Sequence, residues 1–342
     1  MSYFASTFSF NGIFYSVPIW DTDYHIIIIR GTPRSAVSIF LLDLLKDLKM
    51  HDIPVRAYLS CIYPDTPDIL IIPSLKRVIL NANNLTTLSN KLKKKSKIRE
   101  LNLNRFCNNK LLENYQKTIE KLKEKIYFHQ QQGFQYLKQL KTQHIQTGQV
   151  TKEMLLLFQS IFPVTAENKG KPQKVLASSI TSSGWISNIQ YLTTSLKRRY
   201  ILHGSPTFLK TFFQLAESRA YNLNMKCQLI INPLNPEQID GILFPEEEQV
   251  ILTQNKHHSI LLLPHDISLY FNNENNSEVN NHFERNLNLA IKSFIKAHSY
   301  REELDEYYWY SLNLDQFLSE RQRVMHQLLA LCDGQELWEY FM

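Results

Sequence analysis

Ile26-Ile27-Ile28-Ile29-Arg30-Gly31-Thr32-Pro33-Arg34-Ser35-Ala36-Val37-Ser38 is a strand running into a turn, and about 172 residues later the chain says it again. The second copy reads Arg199-Tyr200-Ile201-Leu202-His203-Gly204-Ser205-Pro206-Thr207-Phe208-Leu209-Lys210-Thr211. Four consecutive isoleucines are too uniformly apolar for a half-exposed strand and suit a central parallel strand covered on both faces. A glycine directly after such a strand, followed by a helical pattern, marks a strand-to-helix turn of the kind that cradles phosphate. Against the pattern Gly, four residues, Gly-Lys-Ser/Thr, the first turn keeps Gly31 and Ser38 but has Val37 in place of the lysine and Ala36 in place of the second glycine. The second turn keeps Gly204, Lys210 and Thr211 but has Leu209 where that glycine belongs.

Landmarks on both sides hold the same offset. Ala5-Ser6 aligns with Ala177-Ser178, Gly12 with Gly184, Pro64 with Pro236, Asp68 with Asp240 and Pro73 with Pro245, and Pro64 to Leu80 matches Pro236 to Leu252 without a gap. The expected organisation is therefore two tandem halves, 1–172 and 173–342, divided in the linker-like Lys169-Gly170-Lys171-Pro172 stretch. Each half reads as strand, turn, helix and further strands. In the first these are helix Ile39 to Leu48, then strands Val55 to Cys61, Ile69 to Ile72 and Arg77 to Leu80. In the second they are helix Phe212 to Asn222, then strands Gln228 to Ile231 and Val250 to Leu252. A helical hairpin closes each half, Asn109 to Thr142 with Met154 to Phe162, and Asn281 to His298 with Leu314 to Leu331. The fold class expected is α/β: two P-loop NTPase-like domains, each a parallel sheet flanked by helices and followed by a helical hairpin.

Composition narrows the function. With 342 residues and 44% hydrophobic residues the chain can bury two cores. The four cysteines, Cys61, Cys107, Cys227 and Cys332, lack zinc or disulfide spacing and read as reduced thiols. No signal leader opens the sequence and no apolar run is long enough for a membrane span, so a cytoplasmic protein with no membrane partner is expected. Residues 1–172 carry 24 Lys+Arg against 13 Asp+Glu, a net of +11, while the remainder carries 14 against 19, a net of −5. Lys91, Lys93, Lys94, Lys95, Lys97, Arg99 and Arg105 supply much of the excess. They could attract nucleic acid, but leucine and isoleucine interrupt them instead of aromatic residues, so a solvated loop or contact with the acidic half is the stronger expectation. His129 and His298 fall at matching places on the helical tails, where packing or hydrogen bonding is expected of them.

In order and spacing these features resemble a little-characterised bacterial family of tandem P-loop ATPase-like proteins, over nearly the whole chain from Phe4 to Leu331. Gly31-Thr32-Pro33 and Gly204-Ser205-Pro206 match the start of that family's Walker loop. Pro64, Asp68 and Ile71-Ile72-Pro73, with Pro236, Asp240-Gly241 and Phe244-Pro245, match its middle motif, and His258 its late histidine. The resemblance implies ATP and Mg²⁺ as cofactors. The departures imply that both Walker loops are degenerate: Val37 removes the charge that meets the phosphates, and Asn81 and Thr253 stand where the carboxylate that orders magnesium is expected.

Nucleotide contacts, where retained, are then expected in the C-terminal half at Gly204, Ser205, Pro206, Lys210, Thr211 and Asp240, with the Thr211 hydroxyl as the metal ligand. Replacing Leu209 by glycine is expected to let the backbone amides come closer to the anion. Asp68 and Asp240 are either turn-capping residues or functional carboxylates, and Glu246, Glu247 and Glu248 either an exposed acidic run or charge near the second turn. No catalytic residue is assigned. The leading expectation is a pseudoenzyme: a non-catalytic or nucleotide-responsive binding module for a protein partner that the sequence does not name. The alternatives are a weak ATPase or nucleotide kinase working through Lys210, Thr211 and Asp240, and a nucleic-acid-associated protein using residues 91–105.

Overall fold

The computed structural model describes residues 2–16, 23–83, 97–140, 148–162, 170–254, 261–271 and 277–332. Strand β1 (Ser2–Phe4) and the hairpin β2 (Ser6–Ser9) and β3 (Gly12–Tyr15) precede the isoleucine strand β4 (His25–Arg30). Helix α1 (Arg34–Met50) and strands β5 (Arg56–Leu59), β6 (Pro67–Ile72), β7 (Arg77–Asn81) and β8 (Ile98–Asn102) follow, and α2 (Gln116–Leu140) and α3 (Lys152–Ile161) form the first tail. The second half repeats the order with β9 (Gln173–Val175), β10 (Ser178–Thr181), β11 (Gly184–Ser187), β12 (Arg198–His203), α4 (Pro206–Asn222), β13 (Gln228–Ile231), β14 (Ile239–Phe244), β15 (Gln249–Thr253) and β16 (Asp266–Tyr270). Helices α5 (Ser277–Ser311) and α6 (Leu314–Cys332) complete it.

Strand order carries the internal repeat into three dimensions. In one sheet it runs β5-β6-β7-β4-β8 and in the other β13-β14-β15-β12-β16, the same path strand for strand. The sheets are mixed, which corrects the expected all-parallel arrangement. β4 lies parallel to β7 and β8, and β12 to β15 and β16, but β6 and β14 run antiparallel to both of their neighbours. The connections decide this: only a four-residue turn through Pro73 and Lys76 joins β6 to β7, and a parallel return needs a crossover of about a dozen residues or more.

Two compact units emerge, and each combines the sheet that follows the turn of one half with the last helix of the other. The first contains 3–19 and 132–293; the second contains 20–131 and 294–342. In the second unit α1 buries Val37, Phe40, Leu41, Leu44 and Leu48 in a cluster that includes Phe317, Val324, Met325 and Leu328 of α6, with Phe40 and Phe317 edge to face at 5.7 Å. In the first unit α3 presents Met154, Phe158 and Ile161, at helical spacing, to the cluster around Phe212 and Phe213 of α4. Sequence repeat and compact unit are thus different divisions of the chain. The expected linker shows the same thing. Pro172 is buried, Gly170 N donates to Asn224 O (2.7 Å) and Gln173 N to Cys227 O (2.9 Å), all within the first unit.

Candidate functional site

Gly31 and Gly204 each follow a parallel strand that lies second from the edge of its six-stranded sheet, where a central strand was expected, and each precedes a 17-residue helix. The interval is short. α1 begins at Arg34 and α4 at Pro206, so Val37, Ser38, Lys210 and Thr211 are all helical residues. A phosphate-wrapping loop needs the residues between its two glycine positions to stay non-helical, with their amides converging on one point. Positions 206–209 are helical instead, and the helix expected from Phe212 starts six residues earlier because Pro206 sits at its favoured first position behind the Ser205 cap.

At the first turn the backbone amides have partners from the chain itself. Gly31 N donates to Asn83 Oδ1 (3.2 Å), and Thr32 N to Asn104 Oδ1 (2.7 Å). Pro33 has no N–H and gives α1 no side-chain cap. Arg34 N and Ser35 N instead donate to Asp305 Oδ1 (3.2 Å) and Oδ2 (3.3 Å), a carboxylate 271 residues away on α5. Tyr63 Oη donates to the same Oδ2 (2.5 Å), and Trp309 Nε1 donates to Ser35 Oγ (2.9 Å).

The surroundings of that carboxylate are buried and charged. Asp305 and Arg301 are each 5% exposed. Burial, and then the Asp305 carboxylate, hold the Tyr63 phenol well above its usual range, so it stays a hydrogen-bond donor. Burial pushes the Arg301 guanidinium below its usual range, a tendency that Tyr63 and Asp305 oppose. His298 packs edge-on against Tyr63, with its Nδ1 buried and without a hydrogen-bond partner, and burial lowers its pKa. His129 stacks on Tyr300. Nothing in the sequence singled out Asp305, because a helix cap supplied from a distant segment leaves no local pattern.

Behind the first turn a short polar chain sits in the sheet. Asn81 Nδ2 donates to Asp68 Oδ1 (3.0 Å) and lies 3.5 Å from Ser38 Oγ, at the outer limit of a hydrogen bond; all three residues are buried. The residue after the Val78-Ile79-Leu80 run does therefore stand beside the Ser/Thr of the turn, but as an amide. Asp68 is the second residue of β6, opposite a register shift in β5, and is not in a turn.

At the second turn Ser205 Oγ accepts from Phe208 N (3.2 Å). Lys210 lies one helical turn inside α4, and Leu209 packs against the apolar cluster of the first unit, so its role is in the core. Replacing Leu209 by glycine would remove that packing and weaken the helix, in place of the closer anion approach expected from sequence. The Thr211 hydroxyl donates to Thr207 O (2.8 Å) and accepts from Gly148 N (2.8 Å). The hydroxyl thus already makes two hydrogen bonds within the chain, and among the described residues no group of three or more His, Cys, Asp or Glu could hold a metal. Asp240 accepts from Asn232 Nδ2 (2.9 Å) and lies near the end of β14 that faces the turn. Glu246, Glu247 and Glu248 lie between β14 and β15, where β15 pairs with the start of β12, so they stand at the opposite end of the sheet from Gly204.

Of the basic stretch, Arg99 and Arg105 are turned to Glu320 of α6, at 3.8 and 2.9 Å, and Arg99 also donates to Gln327 Oε1 (3.1 Å). Contact with the acidic half is what these two residues make. Lys91, Lys93, Lys94 and Lys95, like His258, lie outside the described residues. Among the described residues no helix is long and apolar enough to cross a membrane. No family model, curated protein or solved structure matches the chain.

Proposed function

We propose that this chain is a non-catalytic binding module, a tandem α/β protein with P-loop-like turns that have lost their phosphate chemistry. One observation carries the reading: at the first turn Gly31, Thr32, Arg34 and Ser35 each give their N–H to a side chain of the same chain. Amides already bonded in a preorganised turn cannot meet a phosphate without first losing those partners. The function then lies in what the two units present to a protein partner, with no chemical step at the turns. Four free thiols suit the reducing cytoplasm, where we place the protein.

A second reading is favoured at α4, where the cap is local and Lys210 stands one turn inside the helix with Asp240 near the same end of the sheet. There the module responds to nucleotide, with phosphates taken at the α4 N-terminus and no hydrolysis, since Thr253 offers no carboxylate. The test is nucleotide binding and turnover by the purified chain with ATP, with and without Mg²⁺. We expect no turnover above background, and any affinity measured at α4 to fall at least about tenfold in Lys210→Ala. Magnesium-dependent hydrolysis abolished by Lys210→Ala would overturn the non-catalytic reading.

The nucleic-acid alternative is weaker, because Arg99 and Arg105 are engaged with Glu320. The chain is expected to flow through immobilised single- and double-stranded nucleic acid at physiological salt. Retention that falls steeply with added salt, and that is lost when Lys93, Lys94 and Lys95 are neutralised, would reverse that expectation.

A further inference from the structure

We propose that β16 is an interface between two copies of this chain, pairing antiparallel with β16 of the second copy so that two six-stranded sheets join edge to edge. The proposal goes beyond the binding-module reading, since it concerns a sheet edge and neither turn. β16 is the last strand of its sheet, and among the described residues it pairs only with β12. Phe271 N donates inward to His203 O (2.7 Å). Backbone direction alternates along a strand, so the N–H and C=O groups of Ser268 and Tyr270 point away from β12. The strand is braced from within. Asp266 pairs with Arg199 and accepts from Leu263 N, Tyr270 stacks on His203 at 4.2 Å, and Phe271 stacks on Phe208 at 4.5 Å. A preformed edge needs little further ordering to take up another strand.

Charge selects the partner. The matching edge strand, β8, carries Arg99 and Glu100, the first held by Glu320 and Gln327 of α6 and the second by Arg30, and charged residues of this kind blunt a sheet edge. Residues 261–271 contain no lysine, arginine or glutamate, and their one carboxylate, Asp266, is turned inward to Arg199. Leu261, Leu262, Ile267 and Tyr270 are exposed there instead. An identical strand therefore brings apolar side chains to apolar side chains and sets no carboxylate against its like. The register is also self-complementary. With the two-fold axis at Ser268, Ser268 faces Ser268 of the second copy as a hydrogen-bonded pair, Tyr270 N–H meets Asp266 C=O, and Ile267 lies opposite Leu269. The pairing closes on itself because it consumes β16 of both copies. The opposite edge of this sheet, β9, is three residues long, with Lys174 paired to Glu217.

The test is sedimentation velocity of the full chain and its variants over about 1 to 100 μM. We expect the wild type to pass from monomer to dimer in this range, and Ile267→Lys and Ser268→Pro each to raise the dissociation constant at least about tenfold. The first puts a charge on an exposed edge position and the second deletes an outward amide, so both should keep thermal midpoints within about 2 °C of wild type at low concentration. A third variant reads the register. In a hydrogen-bonded antiparallel pair the facing Cα atoms are about 5.5 Å apart, within reach of a disulfide. In a Cys332→Ser background, which removes the exposed native thiol, mild oxidation should crosslink Ser268→Cys into a covalent dimer. Tyr270→Cys, four residues out of step with its mate, should stay uncrosslinked. A wild-type chain that remains monomeric throughout would overturn the proposal and leave the edge for a strand of a different protein. A dimer that both Ile267→Lys and Ser268→Pro leave intact, or that Ser268→Cys does not crosslink, would overturn it as well.

Discussion

Gly31→Ala will destabilise the protein by about 3 kcal/mol, whereas the matching Gly204→Ala will cost less than about 1 kcal/mol. The two glycines align in sequence but not in what they permit. Gly31 has φ +148°, and a Cβ there would lie 2.7 Å from Leu103 Cβ and 3.1 Å from Asn104 N. The first neighbour is a buried side chain held at its root, and the second is backbone that carries the Asn104 contact to Thr32. Neither can give way without moving the turn. Gly204 has no positive φ, and its added methyl would meet Phe208 Cδ1 at 3.1 Å and Phe271 O at 3.3 Å, where a shift of a few tenths of an ångström suffices. Equilibrium urea unfolding of the two variants checks the difference. Equal losses would mean that the turns are equivalent after all, and that close packing against Leu103 does not define the first.

Asp266→Ala will cost about 3–5 kcal/mol, and pairing it with Arg199→Met will recover most of that loss. Arg199 of β12 stands opposite Asp266 of β16 in parallel register, with side chains 0% and 2% exposed and Nη1 3.4 Å from Oδ1. Burial pushes the guanidinium below its usual range while Asp266 opposes the shift, so the carboxylate is what makes a fully buried cation tolerable. Asp266 Oδ2 also accepts from Leu263 N (2.9 Å), and Arg199 donates to Gln190 Oε1 (3.3 Å). Removing the carboxylate alone strands the charge, whereas removing both charges leaves an apolar contact between two strands. Urea unfolding of the single and double variants decides the matter. A single variant that loses under about 1 kcal/mol would show that the ion pair is dispensable, and a double variant as weak as the single would place the energy in the Leu263 turn.

The amino-acid sequence by itself determined the repeat, the buried strands and the start of the turns. Uniform apolar runs such as Ile26 to Ile29 and Val250 to Leu252 are buried on strands flanked on both sides within a covered sheet, and periodic leucines such as Leu41, Leu44 and Leu48 bury one helical face, so local pattern was enough. β8 and β16 were not legible. Ile-Arg-Glu-Leu-Asn at 98–102 and Asp-Ile-Ser-Leu-Tyr at 266–270 look like charged or irregular segments, and they become strands because β4 and β12 each offer an open edge. Strand direction at β6 and β14 followed from connection lengths that sequence motifs do not weigh. Only tertiary structure decided which terminal helix covers which core, since the apolar faces of α3 and α6 are both built from Phe, Met and aliphatic residues at helical spacing. The candidate site divides the same way. Gly31, Ser38, Gly204 and Thr211 could be found from their spacing, but the partners of the Gly31, Thr32, Arg34 and Ser35 amides and of the Thr211 hydroxyl are Asn83, Asn104, Asp305 and Gly148, brought to them from 52 to 271 residues away. Hydrogen bonds are satisfied by proximity in space, and a partner that far along the chain leaves no trace beside the residue it satisfies.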